Sequence, residues 1–137
     1  MIKKAKNITK GTITIENGAN IWPHELHTAK ALASAGYNIR FIPNNASLSS
    51  ADAYINNTLF EFKAPEGSSV KSIQRNLVKA LNRQSPNIVI DSFRMRYMRD
   101  SSIRNYLISR LEARKGLKRL IFVTKTGNVI DINELMR

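Results

Sequence analysis

The sequence predicts an α/β fold, in which a mixed β-sheet is flanked by helices. Short alternating or continuous apolar segments, typical of strands, recur along the 137 residues. Between them lie three longer segments whose apolar residues are three and four positions apart, as in amphipathic helices. Strands and helices that are interspersed in this way are typical of α/β domains. At this length we expect a single domain over residues 1–137, with residues 1–11 as a flexible basic arm.

The individual elements follow from periodicity and from Pro and Gly at the boundaries. We expect strands at 12–16, 37–42, 87–91, 120–124 and 129–132, a hairpin within 51–63, and helices at 23–35, 69–84 and 100–114. Pro23 suits the first position of its helix, and Gly36 and Gly116 suit the positions after a helix end. Residues 93–99 form an irregular basic segment, and a polar loop at 44–50 leads into the hairpin.

The hairpin carries most of the functional information. Asn56 and Asn57 tolerate the positive φ that a two-residue turn requires. In that register Asp52 lies directly opposite Glu61, and Lys63 shares their face of the sheet. The alternate positions Ala51, Ala53, Phe60 and Phe62 form a face that suits burial. Two opposed carboxylates repel each other, and a divalent cation between them would reverse the sign of that interaction.

The charge balance points to a polyanionic partner. The chain has 22 Lys and Arg against 10 Asp and Glu, a formal net charge of +12. Such an excess favours nucleic acid first, an anionic membrane second and an acidic protein third. Without cysteine, disulfides and thiolate metal sites are excluded. No apolar run approaches the length of a membrane span, and we expect a cytoplasmic site of action.

Hydrolysis of a phosphodiester needs an oriented water, a lower pKa of that water and positive charge beside the scissile phosphate. A hard cation held by carboxylate oxygens can supply all three. Asp52 and Glu61 are the expected ligands, with the backbone carbonyl of Phe62 as a third. Lys63 would place an ammonium beside the attacking water, where it orients the nucleophile or stabilises developing charge. Glu25 becomes a further carboxylate of the site if its helix end abuts the hairpin. Mg²⁺ is the expected metal, and Mn²⁺ or Zn²⁺ would also suit such ligands.

These residues resemble those of a known family. A Glu on the first helix, an Asp entering a hairpin and a Glu-x-Lys on the next strand form the pattern of PD-(D/E)xK nucleases, the restriction-endonuclease-like fold. The run from Glu25 to Asp91 is similar to the toxic C-terminal tRNA-nuclease domain of contact-dependent growth-inhibition proteins. The resemblance implies that Glu25, Asp52, Glu61 and Lys63 are catalytic and that Gln84 is an auxiliary. Ala51 stands where the superfamily's name has Pro.

Several other residues have two interpretations. An unbalanced basic stripe on the second helix, and a basic segment that contains a possible base-stacking tyrosine, are candidate nucleic-acid contacts: Lys71, Arg75, Lys79, Arg83, Arg94, Arg96, Tyr97 and Arg99. The alternatives are a solvated helix face and burial of Tyr97 and Met98. His24 and His27 with Glu25 suggest a zinc site, and the alternative is that these two histidines, three apart at an exposed helix start, are not ligands. We expect Trp22 to pack before the first helix, and Asp91 either to assist the site or to begin a loop.

The sequence therefore predicts a metal-dependent endonuclease, with RNA as the expected substrate. The resemblance implies tRNA in particular, and a role as a bacterial toxin domain. The same resemblance implies a cognate immunity protein, expected to be acidic, and delivery into a target cell as part of a larger toxin. The alternatives are a DNA endonuclease of a phage or mobile element and a non-catalytic basic nucleic-acid-binding module.

Overall fold

A computed structural model describes residues 10–43, 52–83, 85–113 and 116–136 and, of Asp52, the backbone. It contains seven strands, three α-helices and a final 3₁₀ helix. The strands are β1 (Ile13–Ile15), β2 (Ile39–Phe41), β3 (Asp52–Ile55), β4 (Thr58–Lys63), β5 (Asn87–Asp91), β6 (Arg119–Val123) and β7 (Val129–Asp131). The helices are α1 (Pro23–Ser34), α2 (Val70–Asn82) and α3 (Asp100–Ala113), and the 3₁₀ helix is Ile132–Met136.

The strands form one mixed sheet whose spatial order follows the chain order, from β1 at one edge to β7 at the other. Helices connect the parallel pairs β1–β2, β4–β5 and β5–β6. The antiparallel pairs are β2–β3, β3–β4 and β6–β7. This is the expected geometry, because a parallel pair needs a long crossover whereas an antiparallel pair can be joined by a tight turn. The predicted α/β architecture is thus confirmed.

Helix α1 covers one face of the sheet. Ala29, Leu32 and Ala33 are buried against the apolar side chains of the strands. These strand residues are Ile39, Phe41, Ala53, Ile55, Phe60, Phe62, Val89, Ile121 and Val123. The hairpin residues predicted to be buried that the structure describes therefore do pack into a core.

Helices α2 and α3 cover the other face, over the C-terminal half of the sheet. Ile73 and Leu77 of α2 and Ile103 of α3 are fully buried. On β5, Ile88 and Ile90 join this second core while the side chain of Val89 joins the first. This alternation explains the continuous apolar run of β5, since a strand covered on both faces needs apolar residues at every position.

Most predicted boundaries are confirmed to within two or three residues. Gly36 has φ +101° directly after the α1 cap, as a glycine in that position should. The last predicted strand ends at Asp131 rather than at 132, and the 3₁₀ helix that follows was not predicted. The loop at 44–50 and most of the arm at 1–11 lie outside the described residues. No helix in the described ranges combines the length and apolar character needed to cross a membrane.

Candidate active site

The β3–β4 hairpin has the predicted register. Asn56 and Asn57 form its turn with φ +52° and +97°, which matches a two-residue turn that needs positive φ at both central positions. Ile55 pairs with Thr58, and three steps outward Asp52 pairs with Glu61. The first strand of the hairpin therefore presents Asp52 directly across from the Glu-x-Lys of the second.

Glu61 is an acidic side chain in a nearly water-free position. Its residue exposure is 1%, and within the described part of the chain neither carboxylate oxygen accepts a hydrogen bond. Lys63 Nζ lies 2.9 Å from Oε2, as an ion pair outside hydrogen-bond geometry, and Arg83 contributes a guanidinium nitrogen at 3.7 Å. Since a buried carboxylate normally has partners for both oxygens, the free Oε1 is a candidate cation ligand.

Glu25 reaches the same site from α1. It is buried, and its Oε1 accepts a hydrogen bond of 2.9 Å from the backbone nitrogen of Trp22. Burial raises the pKa of the Glu25 carboxyl, while the Trp22 hydrogen bond and the charge of Lys63 partly oppose that rise. The charge of Lys63 therefore acts on both Glu61 and Glu25, and α1 contacts β4, which is the condition for Glu25 to join the site.

The residues fit a hard divalent cation. Glu61 supplies a buried oxygen without a hydrogen-bond partner, and Asp52 is its register partner. Phe62 lies between Glu61 and Lys63 on β4, and its carbonyl as a ligand stays a prediction. Among the side chains that the structure describes, no three acidic or histidine groups converge on one point. Asp52 is not among those side chains, so the full set of ligands also stays a prediction.

The predicted basic contacts form two groups. Lys71, Arg75, Lys79 and Arg83 are exposed on one side of α2, and only Arg83 turns toward Glu61. A stripe with this placement can track phosphates along the helix. Gln84 follows α2 and lies outside the described residues.

The second group lies after β5. Arg94 is anchored, because its Nε and one terminal nitrogen donate to the carbonyl of Ala64, at 3.0 and 2.6 Å, and its role as a nucleic-acid contact stays a prediction. Arg96 and Arg99 are exposed, and so is Tyr97, whose exposed fraction is 83%. The alternative that buries Tyr97 is therefore wrong, whereas Met98 does pack against the second core. Arg94, Arg96 and Tyr97 border a cavity of about 360 Å³ beside residues 66–68.

Asp91 has a role that sequence reasoning did not assign. It is fully buried and accepts hydrogen bonds from Thr28 Oγ1 at 2.7 Å and from the backbone nitrogen of Phe93 at 3.1 Å, and His27 Nδ1 lies 3.2 Å away. These contacts join α1 to the end of β5 and so position Glu25. His24, His27 and Glu25 do not form a zinc site, because among the described side chains no three histidine or acidic groups converge on one point.

Trp22 corrects another expectation. It does not pack before α1 but is 64% exposed. Its position as the residue that caps α1 directs the backbone, not the indole, toward the protein. A short sequence pattern could not have distinguished these two outcomes.

Comparison with known proteins assigns the family. The candidate active site combines three acidic residues: the buried Glu61, its register partner Asp52 on the neighbouring strand, and Glu25 on α1. Residues 49–129, more than half of the chain, match the family model "Contact-dependent growth inhibition CdiA C-terminal domain". The chain therefore belongs to the CdiA C-terminal domains, and it is a toxin domain of contact-dependent growth inhibition.

A solved structure shares the fold. It is described as a CdiA-CT/CdiI toxin and immunity complex from Burkholderia pseudomallei, with TM-score 0.68 and 23% sequence identity. The match covers 88% of this chain and 97% of the other. Among the curated proteins compared by sequence, none matches.

Proposed function

We propose that this toxin domain is a metal-dependent endonuclease with a PD-(D/E)xK, restriction-endonuclease-like core, and that it cleaves RNA, with tRNA as the preferred substrate. One observation carries the proposal: a fully buried Glu61 carboxylate has no hydrogen-bond partner in the described chain, pairs in register with Asp52 and has Lys63 Nζ 2.9 Å away. If Glu61 and Lys63 formed only a structural ion pair, we would expect the buried carboxylate oxygens to accept hydrogen bonds.

The roles follow from position. Asp52 and Glu61 would hold the cation, with Glu25 and the Phe62 carbonyl completing the site. When bound, the metal lowers the pKa of a water and polarises the scissile phosphate. The Lys63 ammonium would orient the attacking water and stabilise the charge that develops on the phosphate. Glu25 is held at its carboxylate by the Trp22 backbone, so its position is fixed before substrate arrives.

Substrate and partner follow from charge and from family. The +12 charge and the exposed basic side of α2 suit a polyanion. A tRNA substrate rests on the family resemblance, and so does the proposal that the toxin acts in the cytoplasm of the cell that receives it. The solved relative is a complex of toxin and immunity protein. We therefore propose a cognate immunity protein for this chain as well, with an acidic contact surface.

The test compares total tRNA and plasmid DNA as substrates, each with Mg²⁺ and with EDTA. Wild type should cut tRNA only with metal, and Glu61→Gln should lose at least about 100-fold of the rate, because even outer-shell partners of a metal contribute about 10–100-fold. Glu112→Gln, at an exposed position of α3, is the matched control and should keep full activity.

Other outcomes overturn the proposal in distinct ways. Cleavage that survives EDTA removes the metal from the mechanism. Cutting of plasmid alone makes the domain a DNA endonuclease. Binding of RNA without cutting by wild type makes it a non-catalytic binding module.

A further inference from the structure

Trp22 is a large aromatic side chain that the protein leaves in water. It is 64% exposed, and it is the one tryptophan of the 137 residues. Tryptophan is usually buried over most of its surface. An exposed tryptophan next to a polar site suggests that something else covers it.

The backbone of Trp22 is fixed relative to the candidate active site. Its backbone nitrogen donates to Glu25 Oε1 at 2.9 Å, and its carbonyl accepts from the backbone nitrogens of Glu25 and Leu26 at 2.9 and 3.1 Å. The indole therefore leaves the chain at a point anchored to a carboxylate of the site. A ligand group on the indole would therefore lie near the start of α1, on the side of the protein where Glu25 enters the site.

The surroundings of the indole have the size and chemistry of a nucleobase site. The ring of His24 lies near-parallel to it, with an interplanar angle of 23° and centroids 6.4 Å apart. A surface cavity of about 280 Å³ is lined by Asn20, Ile21 and Trp22. That is just below the lower limit of about 300 Å³ for small-molecule sites, so it suits one base rather than a duplex. The exposed Asn20 amide can donate to and accept from a base edge.

We propose that Trp22, with His24 and Asn20, stacks one unpaired nucleobase of the RNA beside the phosphate that is cleaved. This inference rests on the proposed nuclease function and adds a substrate class, a loop or single strand. Stacking on an aromatic ring requires a base that is not already stacked within a duplex. The +12 charge favours a nucleic acid over a neutral or basic protein as the group that covers the indole.

The single tryptophan makes the site directly observable. Indole emission reports Trp22 alone when tryptophan is excited selectively. Wild type in EDTA, which by the proposed mechanism leaves RNA uncut, is titrated with a short unstructured oligoribonucleotide and then with an RNA duplex of equal length. Glu61→Gln is titrated in the same way. The single strand should quench the emission as it binds, and the duplex should leave it unchanged.

A second measurement keeps the inference falsifiable without the fluorophore. Anisotropy of a labelled oligoribonucleotide gives the affinity of Trp22→Ala, Trp22→Phe and the control Leu135→Ala, another exposed apolar side chain. Trp22→Ala should weaken binding about 5- to 150-fold, the range that base–aromatic stacking supplies. Trp22→Phe should recover part of that loss, and the control should bind as wild type. Thermal unfolding should be unchanged, because Trp22 contacts Glu25 through its backbone.

The outcomes separate this inference from the nuclease proposal. If wild type cuts tRNA while the single strand binds without quenching, or fails to bind, the stacking site is wrong and the nuclease proposal stands. Equal quenching by duplex RNA would contradict the proposal that the base bound by Trp22 is unpaired. Quenching only by a protein partner makes Trp22 a protein contact and overturns the site. If quenching and the Trp22→Ala loss appear without cleavage, the base site stands and the nuclease proposal falls.

Discussion

Glu61 and Lys63, two residues apart on β4, hold a carboxylate oxygen and an ammonium nitrogen 2.9 Å apart while the Glu61 side chain is fully buried. A buried ion loses several kcal/mol of hydration, which only close opposite charge and hydrogen bonds offset. Lys63 is the nearer cation and Arg83 the more distant one, at 3.7 Å. Lys63, which is proposed to act on the attacking water, therefore also offsets part of the free-energy cost of burying the Glu61 carboxylate.

Lys63→Met should destabilise the domain even without substrate. Removing one partner of a buried ion pair leaves an uncompensated charge, at a cost of about 3–5 kcal/mol in the free energy of unfolding. Because Arg83 still lies near Glu61 in this variant, we expect a loss at the lower end of that range. Urea unfolding at neutral pH measures the loss, and the double variant Glu61→Gln/Lys63→Met should recover most of it while staying inactive. A double variant as unstable as Lys63→Met would show that the pair is not what holds the site together.

Asn57→Val should weaken the hairpin. Asn57 has φ +97°, a region that a β-branched residue enters at a cost of about 1–3 kcal/mol. Asn57→Gly is the matched control, since glycine adopts positive φ without that strain and should keep near-wild-type stability. Thermal unfolding of both variants compares them. Because the turn sets the register of Asp52 against Glu61, tRNA cleavage should fall for Asn57→Val more than for the glycine control.

These features differ in how far the sequence could predict them. The hairpin was predicted from Asn56 and Asn57 and from the alternation of apolar with charged residues at 51–53 and 60–63, which are local signals. The strand β5 was predicted from its unbroken apolar run, which its burial on both faces explains. The Asp91–Thr28 hydrogen bond joins residues 63 positions apart, and nothing local marks it. The exposure of Trp22 depends on where the chain turns into α1, and an apolar side chain there fits either outcome.

Acid should remove the contribution that the Asp100 carboxylate makes to the free energy of unfolding. Burial alone would raise the pKa of this carboxyl, but hydrogen bonds from Ser92 and from the Lys125 backbone and ammonium, together with the Lys125 charge, lower it below its ordinary value of 3.8. A folded pKa below the unfolded one stabilises the fold fully above about pH 4, and that stability disappears as pH falls through the folded pKa. Because solvent screens this partly exposed carboxylate, Asp100→Asn should be less stable than wild type by at most about 1 kcal/mol near neutrality.

The pH dependence provides the check on Asp100. Urea unfolding of wild type and Asp100→Asn at a series of pH values should show the difference shrinking below pH 3.8, the ordinary carboxyl value. A difference that is constant down to strong acid would mean that the charge of Asp100 is not what matters. Asp100 lies where α3 begins, so this variant tests the connection between α3 and the β6–β7 turn.

The basic side of α2 should appear in the salt dependence of RNA binding. Each phosphate contact that is lost lowers the slope of log affinity against log salt by about 0.7–0.9, so Lys71→Gln/Lys79→Gln should lower it by about 1.4–1.8. The control Lys30→Gln/Lys118→Gln removes two exposed lysines of α1 and of the residues before β6. Anisotropy of labelled tRNA in EDTA gives both slopes. Equal slopes for the two double variants would make the α2 stripe a solvated helix face.

The sheet order also bears on how the chain folds. Every strand pairs with its neighbours in sequence, from β1 to β7, but the three parallel pairs must each close a helical crossover, so the antiparallel pairs are the more local ones. Hairpins form in about 1–10 μs, and we expect β3–β4 to start a sheet that grows outward at both edges. A circular permutant opened between Asn56 and Asn57 turns that local pairing into the most distant one. It should refold more slowly than a permutant opened at the exposed turn of Thr126 and Gly127, and stopped-flow refolding compares the two rates.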